Sequence, residues 1–359
     1  MKKTLIIFLA IIISLSVFAA CTSGNGESQS KEEFVSDDAS ASSEAGSSET
    51  ESSEESSADE PAQKTTIRIG GLKGPTSMGL VKLMEDNDNG TSAMDYEFTI
   101  EATADMITPL LVKGQLDMVA VPANLASVLY NNTEGKVQVL ALNTLGVIYI
   151  VEKNAGVTSL SDLKGKTIYA TGKGSTPEYN LRYLLSQAGI DPDKDVSIEF
   201  KSEPTEVVAL LKNAESGVAM LPQPYVTVAK TQVEGLNVAI DLNDEWNKLN
   251  NGSKMVTGVM VVRKEFAENN KEAIQAFLDE YEASIKYINE NAEEASPWVE
   301  KRIGVKAAIA KQAIPACNLA FSEGADMKQA LSGYLNVLFE QNAKSIGSKM
   351  PTDDFYYEA

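Results

Sequence analysis

The sequence predicts an α/β protein built as two similar lobes. Three observations carry this. Short strands alternate with helical segments from about residue 65 onward. Two nearly all-apolar strands each stop at a proline, Val119-Ala120-Val121-Pro122 and Ala219-Met220-Leu221-Pro222. Such runs suit central parallel strands covered on both faces. A strand-loop-helix unit at Ile67 to Met84 recurs at Thr167 to Ala188, each time with a glycine-containing loop opening the helix.

The first 64 residues have their own character. Lys2 and Lys3 precede an apolar run from Leu5 to Ala20 that ends Val17-Phe18-Ala19-Ala20-Cys21. A basic start, an apolar core and small residues before a cleavage point read as a secretory signal over 1–20. Cys21 directly after Ala-Ala is similar to a bacterial lipobox, whose processed cysteine is lipidated. Residues 22–64 hold 13 serines and 12 acidic residues against two lysines. A stretch so poor in apolar surface does not offset its ordering entropy, so 21–64 is expected to be a disordered tether. As a coil it would average about 35–40 Å end to end.

Charge and composition narrow the function. The 359 residues carry 31 basic and 51 acidic side chains, net −20, with no histidine and two cysteines. The tether contributes −10 and Lys2 and Lys3 add +2, which leaves −12 for residues 65–359. An acidic surface disfavours nucleic acid as a partner. Without histidine there is no imidazole general base, nucleophile partner or metal ligand. If Cys21 is lipidated, Cys317 has no disulfide partner and is expected to be a small buried apolar residue.

Along the body of the chain, Thr66 to Leu72 alternates as a half-buried strand and breaks at Lys73-Gly74-Pro75-Thr76-Ser77. Met78 to Met84 has helical spacing, with Thr76 or Ser77 in the N-cap position. Tyr96 to Ile100 is a strand, Met106 to Val112 a helix, and Asp117 to Pro122 a strand. A helix follows over Asn124 to Tyr130, then strands at Val137 to Leu142 and Val147 to Val151. In the second unit, the strand Thr167 to Thr171 leads through Gly172-Lys173-Gly174-Ser175-Thr176-Pro177 into a helix over Glu178 to Ala188, stopped at Gly189. Ser197 to Phe200, Val218 to Leu221 and Asn237 to Asp241 are strands, with helices at Thr205 to Asn213 and Tyr225 to Gln232 between them. Met255 to Val262 is another apolar strand. Beyond Glu265 the chain is helical, with Ile274, Phe277, Leu278, Tyr281, Ile285 and Ile288 on one face.

Several stretches carry a family resemblance: Ser159-Leu160-x-Asp162-Leu163-x-Gly165-Lys166, Gly172-Lys173-Gly174-Ser175, Leu221-Pro222-Gln223-Pro224-Tyr225, Asn291 to Ala295, and the closing Met350-Pro351 with Phe355-Tyr356. Over residues 65–355 the chain resembles the SsuA-like nitrate, taurine, sulfonate and thiamine-precursor binding proteins of ABC importers. The resemblance implies a two-lobed type 2 periplasmic-binding-protein fold with a ligand cleft between the lobes. Lobe one would be 65–152 with 254–359, and lobe two 153–253.

The cleft would be lined by loops at the C-terminal ends of the strands. Lys173, Gly174, Ser175 and Thr176 stand between strand and helix, either as a capped turn or as a cradle for an oxyanion. The motif is neither a nucleotide P-loop nor a dinucleotide fingerprint. Lys73, Thr76 and Ser77 form the matching loop of lobe one, again a turn or a binding loop. Asn124 and Gln223 stand where a ligand's polar groups would be read, and Tyr225 would stack on a ring or pack in the core. Leu145 and Tyr149 would give an apolar wall, with core packing the main role of Tyr149. The Asp86-Asn87-Asp88-Asn89-Gly90 loop is expected to hold no metal, and no cofactor is expected. The resulting expectation is a monomeric extracytoplasmic lipoprotein that is not an enzyme. It would bind a small organic molecule and deliver it to an ABC permease and its ATPase. The alternatives are an enzyme on the same fold and a sensory or adhesive lipoprotein without a transport role.

Overall fold

The computed structural model describes residues 64–358. The expected signal segment, Cys21 and the tether up to residue 63 lie outside the described residues. The elements run β1 (Thr66–Leu72), α1 (Pro75–Met78), α2 (Val81–Asp88), β2 (Asp95–Glu101), α3 (Ala104–Val112), β3 (Met118–Pro122), α4 (Ala123–Asn132), β4 (Val137–Leu145) and β5 (Ile148–Lys153). They continue with β6 (Thr167–Ala170), α5 (Thr176–Gln187), β7 (Ser197–Phe200), α6 (Pro204–Asn213), β8 (Gly217–Pro222), α7 (Tyr225–Gln232), β9 (Leu236–Asp241) and α8 (Leu242–Lys248). Last come β10 (Val256–Arg263), α9 (Lys264–Asn269), α10 (Lys271–Glu290), α11 (Ala292–Ile303), α12 (Ala307–Ala313), β11 (Leu319–Ser322) and α13 (Gly324–Gln341).

Two sheets result, ordered β11-β4-β10-β3-β1-β2 and β7-β6-β8-β5-β9. In the first, β1 runs parallel to β2 and β3, while β10 lies antiparallel between β3 and β4. In the second, β6 runs parallel to β7 and β8, and β5 is antiparallel to β8 and β9. Each sheet is thus the core of one lobe.

The first crossing differs from expectation. β5 pairs with β8 from Ile148 to Lys153, so the chain leaves lobe one at Gly146-Val147 and not near residue 152. The apolar run Val147 to Val151 suits either sheet, and the polar Glu152-Lys153 pair marks the far end of β5, not a border. The return to sheet one falls between the end of α8 at Lys248 and the start of β10 at Val256.

Period-2 alternation sorts the core. Met118 and Ala120 of β3 face α2, α10 and α11, among Met84, Phe277, Tyr281, Ile285 and Val299. Val119 and Val121 face the other way, among Ile107, Leu111, Leu331 and Leu335. That second cluster continues without a break into lobe two through Trp246, Leu181, Leu184 and Ile150. The far face of sheet two packs Val151, Ala219 and Leu221 against Val207, Leu211, Val226 and Ala229 of α6 and α7.

The expected helix over Met78 to Met84 is split at Gly79-Leu80. There α10 passes so close that a Cβ on Gly79 would lie 2.7 Å from Ile285 Cγ1. Thr76 and Ser77 therefore lie inside α1, whose N-cap is Gly74. Cys317 is fully buried, and burial pushes its thiol up to about 12. Phe277 and Tyr281 are core, while Tyr287 and Trp298 stack on each other at the surface of α10 and α11.

Candidate functional site

The loops singled out in the sequence all lie at the C-terminal ends of β1, β3, β6 and β8, where open α/β sheets bind ligands. In lobe one, the short α1 is pressed against β1, β3 and β10. Thr76 is 7 % exposed and Ser77 fully buried. Two glycines make that approach possible. A Cβ on Gly258 would lie 2.4 Å from Asn143 Oδ1 and 2.5 Å from Thr76 Cγ2, and one on Gly71 would lie 2.3 Å from Ser77 Oγ. Asn143, near the end of β4, accepts a hydrogen bond from Thr144 Oγ1 at 2.9 Å and lies beside the Tyr281 hydroxyl. Burial raises the Tyr281 phenol well above its ordinary value.

Ser77 Oγ and Thr257 Oγ1 are buried without a hydrogen-bond partner, and Asn143 Nδ2 and Tyr281 Oη, which lie beside each other, have no other partner. A folded protein leaves few such atoms, because each costs about 1–3 kcal/mol. The region where α1 meets β4 and β10 is therefore the candidate polar site of lobe one.

In lobe two, α5 opens just after the C-terminal end of β6. Thr176 and Asn180 stand one turn apart on a single helix face and are 2 % and 0 % exposed. The Tyr334 hydroxyl of α13 donates to Asn180 Oδ1 at 2.6 Å, while Asn180 Nδ2 is a further buried atom without a partner. Tyr149 of β5 ties the lobes a second time, its hydroxyl donating to the Ala316 carbonyl at 3.1 Å. Unpartnered donors therefore come from both lobes.

The model of one protein family, the ABC transporter phosphonate periplasmic substrate-binding proteins, matches residues 90–307, more than half of the chain. The chain belongs to this family. Members of this family are periplasmic substrate-binding proteins of ABC transporters, not enzymes. Among solved structures it is similar to an ABC transporter protein of Parabacteroides distasonis at TM-score 0.69 and 22 % identity, covering 82 % of this chain and 99 % of that one. It is also similar to the aliphatic sulphonate binding protein SsuA of Escherichia coli, at TM-score 0.65 and 18 % identity over 82 % and 92 % of the two chains. At such identities these two show the fold, and it is the fold that the SsuA-like motifs imply. Among curated proteins, one of Brucella abortus, named only as a candidate binding protein, is 27 % identical over 161 residues, 45 % of this chain. The match spans 48 % of that relative's length. Among the described residues no helix is long and apolar enough to cross a membrane.

The ten residues expected to meet a ligand divide sharply in this binding protein. Thr76, Ser77 and Thr176 are buried at the starts of α1 and α5. Lys73 is exposed, its backbone N–H donating to the Glu101 carbonyl at 2.9 Å. Lys173 is exposed too, its ammonium 6.0 Å from the centre of the Phe200 ring. Gly174 and Ser175 are occupied within their own turn. The Gly174 N–H donates to Glu178 Oε2 at 2.7 Å, and Ser175 Oγ donates to the Gly172 carbonyl at 2.8 Å. Both glycines of the turn are left-handed, Gly172 at φ 78° and Gly174 at φ 74°.

Gln223 Oε1 accepts from the backbone and hydroxyl of Thr227, capping α7. Tyr225 is half-buried and walls a groove of about 400 Å³ between α7 and the segment around Val305 and Lys306. Asn124 Nδ2 donates to the Ser345 carbonyl at 3.1 Å and, together with Ser127 on the Ile346 carbonyl, anchors the C-terminal segment, while Asn124 Oδ1 is buried without a partner. The Asp86 and Asp88 carboxylates are taken up by Lys82, Lys301 and Arg302.

Sequence reading missed Asn143, Thr257, Asn180 and Glu178. Two signals pointed to them. Gly258 interrupts an apolar strand, which marks a close approach. Ser175-Thr176-Pro177-Glu178 has the spacing of a helix-capping box.

Proposed function

We propose that this chain is a lipid-anchored receptor, tethered through Cys21, that captures a small organic solute between its lobes and hands it to the permease and ATPase of an importer. The observation that supports this best is the set of buried, unpartnered donors contributed by both lobes: Ser77, Asn143 and Thr257 from one, Asn180 from the other. A ligand rich in acceptor oxygens satisfies them only where both lobes are in contact with it, so binding and closure are one event. The ligand is a neutral or singly charged organic molecule, and the receptor works as a monomer.

A thermal-shift screen of the full-length protein with vitamins and their precursors, sulfonates, phosphonates and inorganic anions tests this. A true ligand at about 100 times its Kd adds roughly 2.7 kcal/mol of stability. Ser77→Ala and Asn143→Ala are expected to abolish the shift. Stabilisation by inorganic anions alone, or full shifts in both variants, would sink the reading. Cys21→Ser is expected to move the protein from the membrane to the soluble fraction.

A further inference from the structure

The cavities beside α9, α10 and α13 each carry carboxylates in their lining, Glu265 and Glu268, Glu282 and Glu290, and Asp326, as an acidic fold leads one to expect. The groove walled by Tyr225 differs in two ways. No carboxylate lines it, and its walls belong to different lobes. Tyr225, Val228 and Thr231 stand on α7 of lobe two, and Val305, Lys306 and Ile309 on the turn into α12 and its first residues in lobe one. It runs along α7 away from the end of β8, and Ser77, Asn143, Asn180 and Thr257 have no part in it. Its one charge is Lys306. The neighbouring cations Lys301, Arg302 and Lys311 are ion-paired to Glu85, Asp88 and Glu293, whereas Lys306 has no ion pair among the described residues. Two acids close by in the chain are engaged otherwise. Glu203 accepts from Thr205 Oγ1 at 3.3 Å, and Glu300 from the Ala307 N–H at 2.8 Å.

We infer that this groove is an accessory binding site for a small organic acid that carries one negative charge on an apolar body the size of a single ring. Its volume of about 400 Å³ lies toward the lower end of small-molecule pockets, roughly 300–1,000 Å³, which suits one ring. Val228, Val305 and Ile309 give apolar walls beside the Tyr225 ring. Lys306 supplies a single counter-charge, and the Tyr225 hydroxyl and Gln232 amide add neutral donors for carboxylate oxygens. Because the walls come from both lobes, an occupant touches both and favours the one spacing that fits it. The site is separate from the one proposed for the transported solute and does not depend on where that solute binds.

Benzoate, with benzamide as its uncharged match, tests this on the full-length protein. Hydrogen-exchange mass spectrometry is expected to show benzoate slowing exchange at both 225–232 and 304–309, one segment from each lobe. In ligand-observed NMR titrations, Lys306→Gln is expected to bind benzoate about three- to fivefold more weakly than the wild type, the size of one solvent-facing ion pair. Benzamide should change by less than about twofold. Thr231→Asp brings a carboxylate to the facing wall and is expected to weaken benzoate by a similar factor, again sparing benzamide. Lys306 and Thr231 are both exposed, so neither change threatens the fold, and unchanged melting curves check this. Protection that is absent or confined to one segment overturns the inference, as does equal benzoate affinity in wild type and Lys306→Gln. Ser77→Ala separates this groove from the polar site of lobe one. Benzoate binding is expected to be unchanged in that variant, and its loss would overturn the separate site.

Discussion

The Tyr334 hydroxyl donates to the Asn180 side-chain oxygen at 2.6 Å, joining the long C-terminal helix of lobe one to the first helix of lobe two. Both residues are fully buried, and the Tyr334 ring also packs on Trp246 at 5.4 Å. Tyr334→Phe keeps the packing and removes the donor, leaving the Asn180 side-chain oxygen unpaired as its nitrogen already is. A buried polar group left unpaired costs about 1–3 kcal/mol. Denaturant unfolding is expected to show a loss of that size in the ligand-free protein. An unchanged midpoint would mean that Asn180 finds another partner.

At the opposite end of sheet one, Asp117 gathers the backbone N–H, Nε and Nη2 of Arg68, and Nη2 of Arg263. Burial pushes its carboxyl up, but the hydrogen bonds from Arg68 and Arg263 outweigh burial and hold it below the usual aspartate range. A carboxyl depressed in the folded state stabilises fully above its unfolded pKa of about 4, and that contribution is lost as pH falls through the folded value. Asp117→Asn is expected to cost about 3 kcal/mol near pH 7, the low end for breaking a buried pair because Arg68 is partly exposed. The gap in melting temperature to the wild type should narrow below about pH 4. A gap independent of pH would assign the loss to packing.

How much of this was legible in the sequence depends on the range of the interaction. The paired strands ending at Pro122 and Pro222 were readable because apolar runs with a proline stop are local signals, and both are central strands. The crossing at Gly146 was not, since nothing in Val147 to Val151 says which sheet takes it. Position after a strand put Thr76, Ser77 and Thr176 at the starts of α1 and α5, where the structure buries them. It gave no hint that the Asn124 amide nitrogen is claimed by the carbonyl of Ser345, 221 residues further on. Asn143 escaped notice as one polar residue closing an apolar strand, and only the facing Gly258 on a distant strand gives it meaning. Glu178 was written in a four-residue capping pattern, and the structure adds the Gly174 N–H and Arg182 on its two oxygens.

Asn124→Ala separates anchoring from recognition. With its amide on Ser345 and Ser127 on Ile346, the α4 face holds the C-terminal segment against lobe one. The variant is expected to lose about 1–2 kcal/mol in stability, the cost of one buried hydrogen bond with its partner stranded, and to expose residues near 345 to proteolysis. Affinity for the best stabiliser from the solute screen should stay within about twofold. A loss of affinity with unchanged stability would return Asn124 to the binding site.

Gly258→Ala tests the shape of the site without touching a polar group. Its new methyl would stand 2.4 Å from Asn143 Oδ1 and 2.5 Å from Thr76 Cγ2, distances no folded protein sustains, so at least one of the two must move. Overpacking of this kind costs about 1–3 kcal/mol, which a domain of this size survives. Asn143 also accepts from Thr144 and lies beside Tyr281, so its displacement disturbs the donors grouped around it. Affinity for the same solute is therefore expected to fall at least about tenfold, with melting lowered only modestly. Gly258→Ala in an Asn143→Ala background relieves the shorter clash, so the two stability losses should sum to more than the loss in the double variant. Additive losses would show that Asn143 and Gly258 do not share the site that α1 closes.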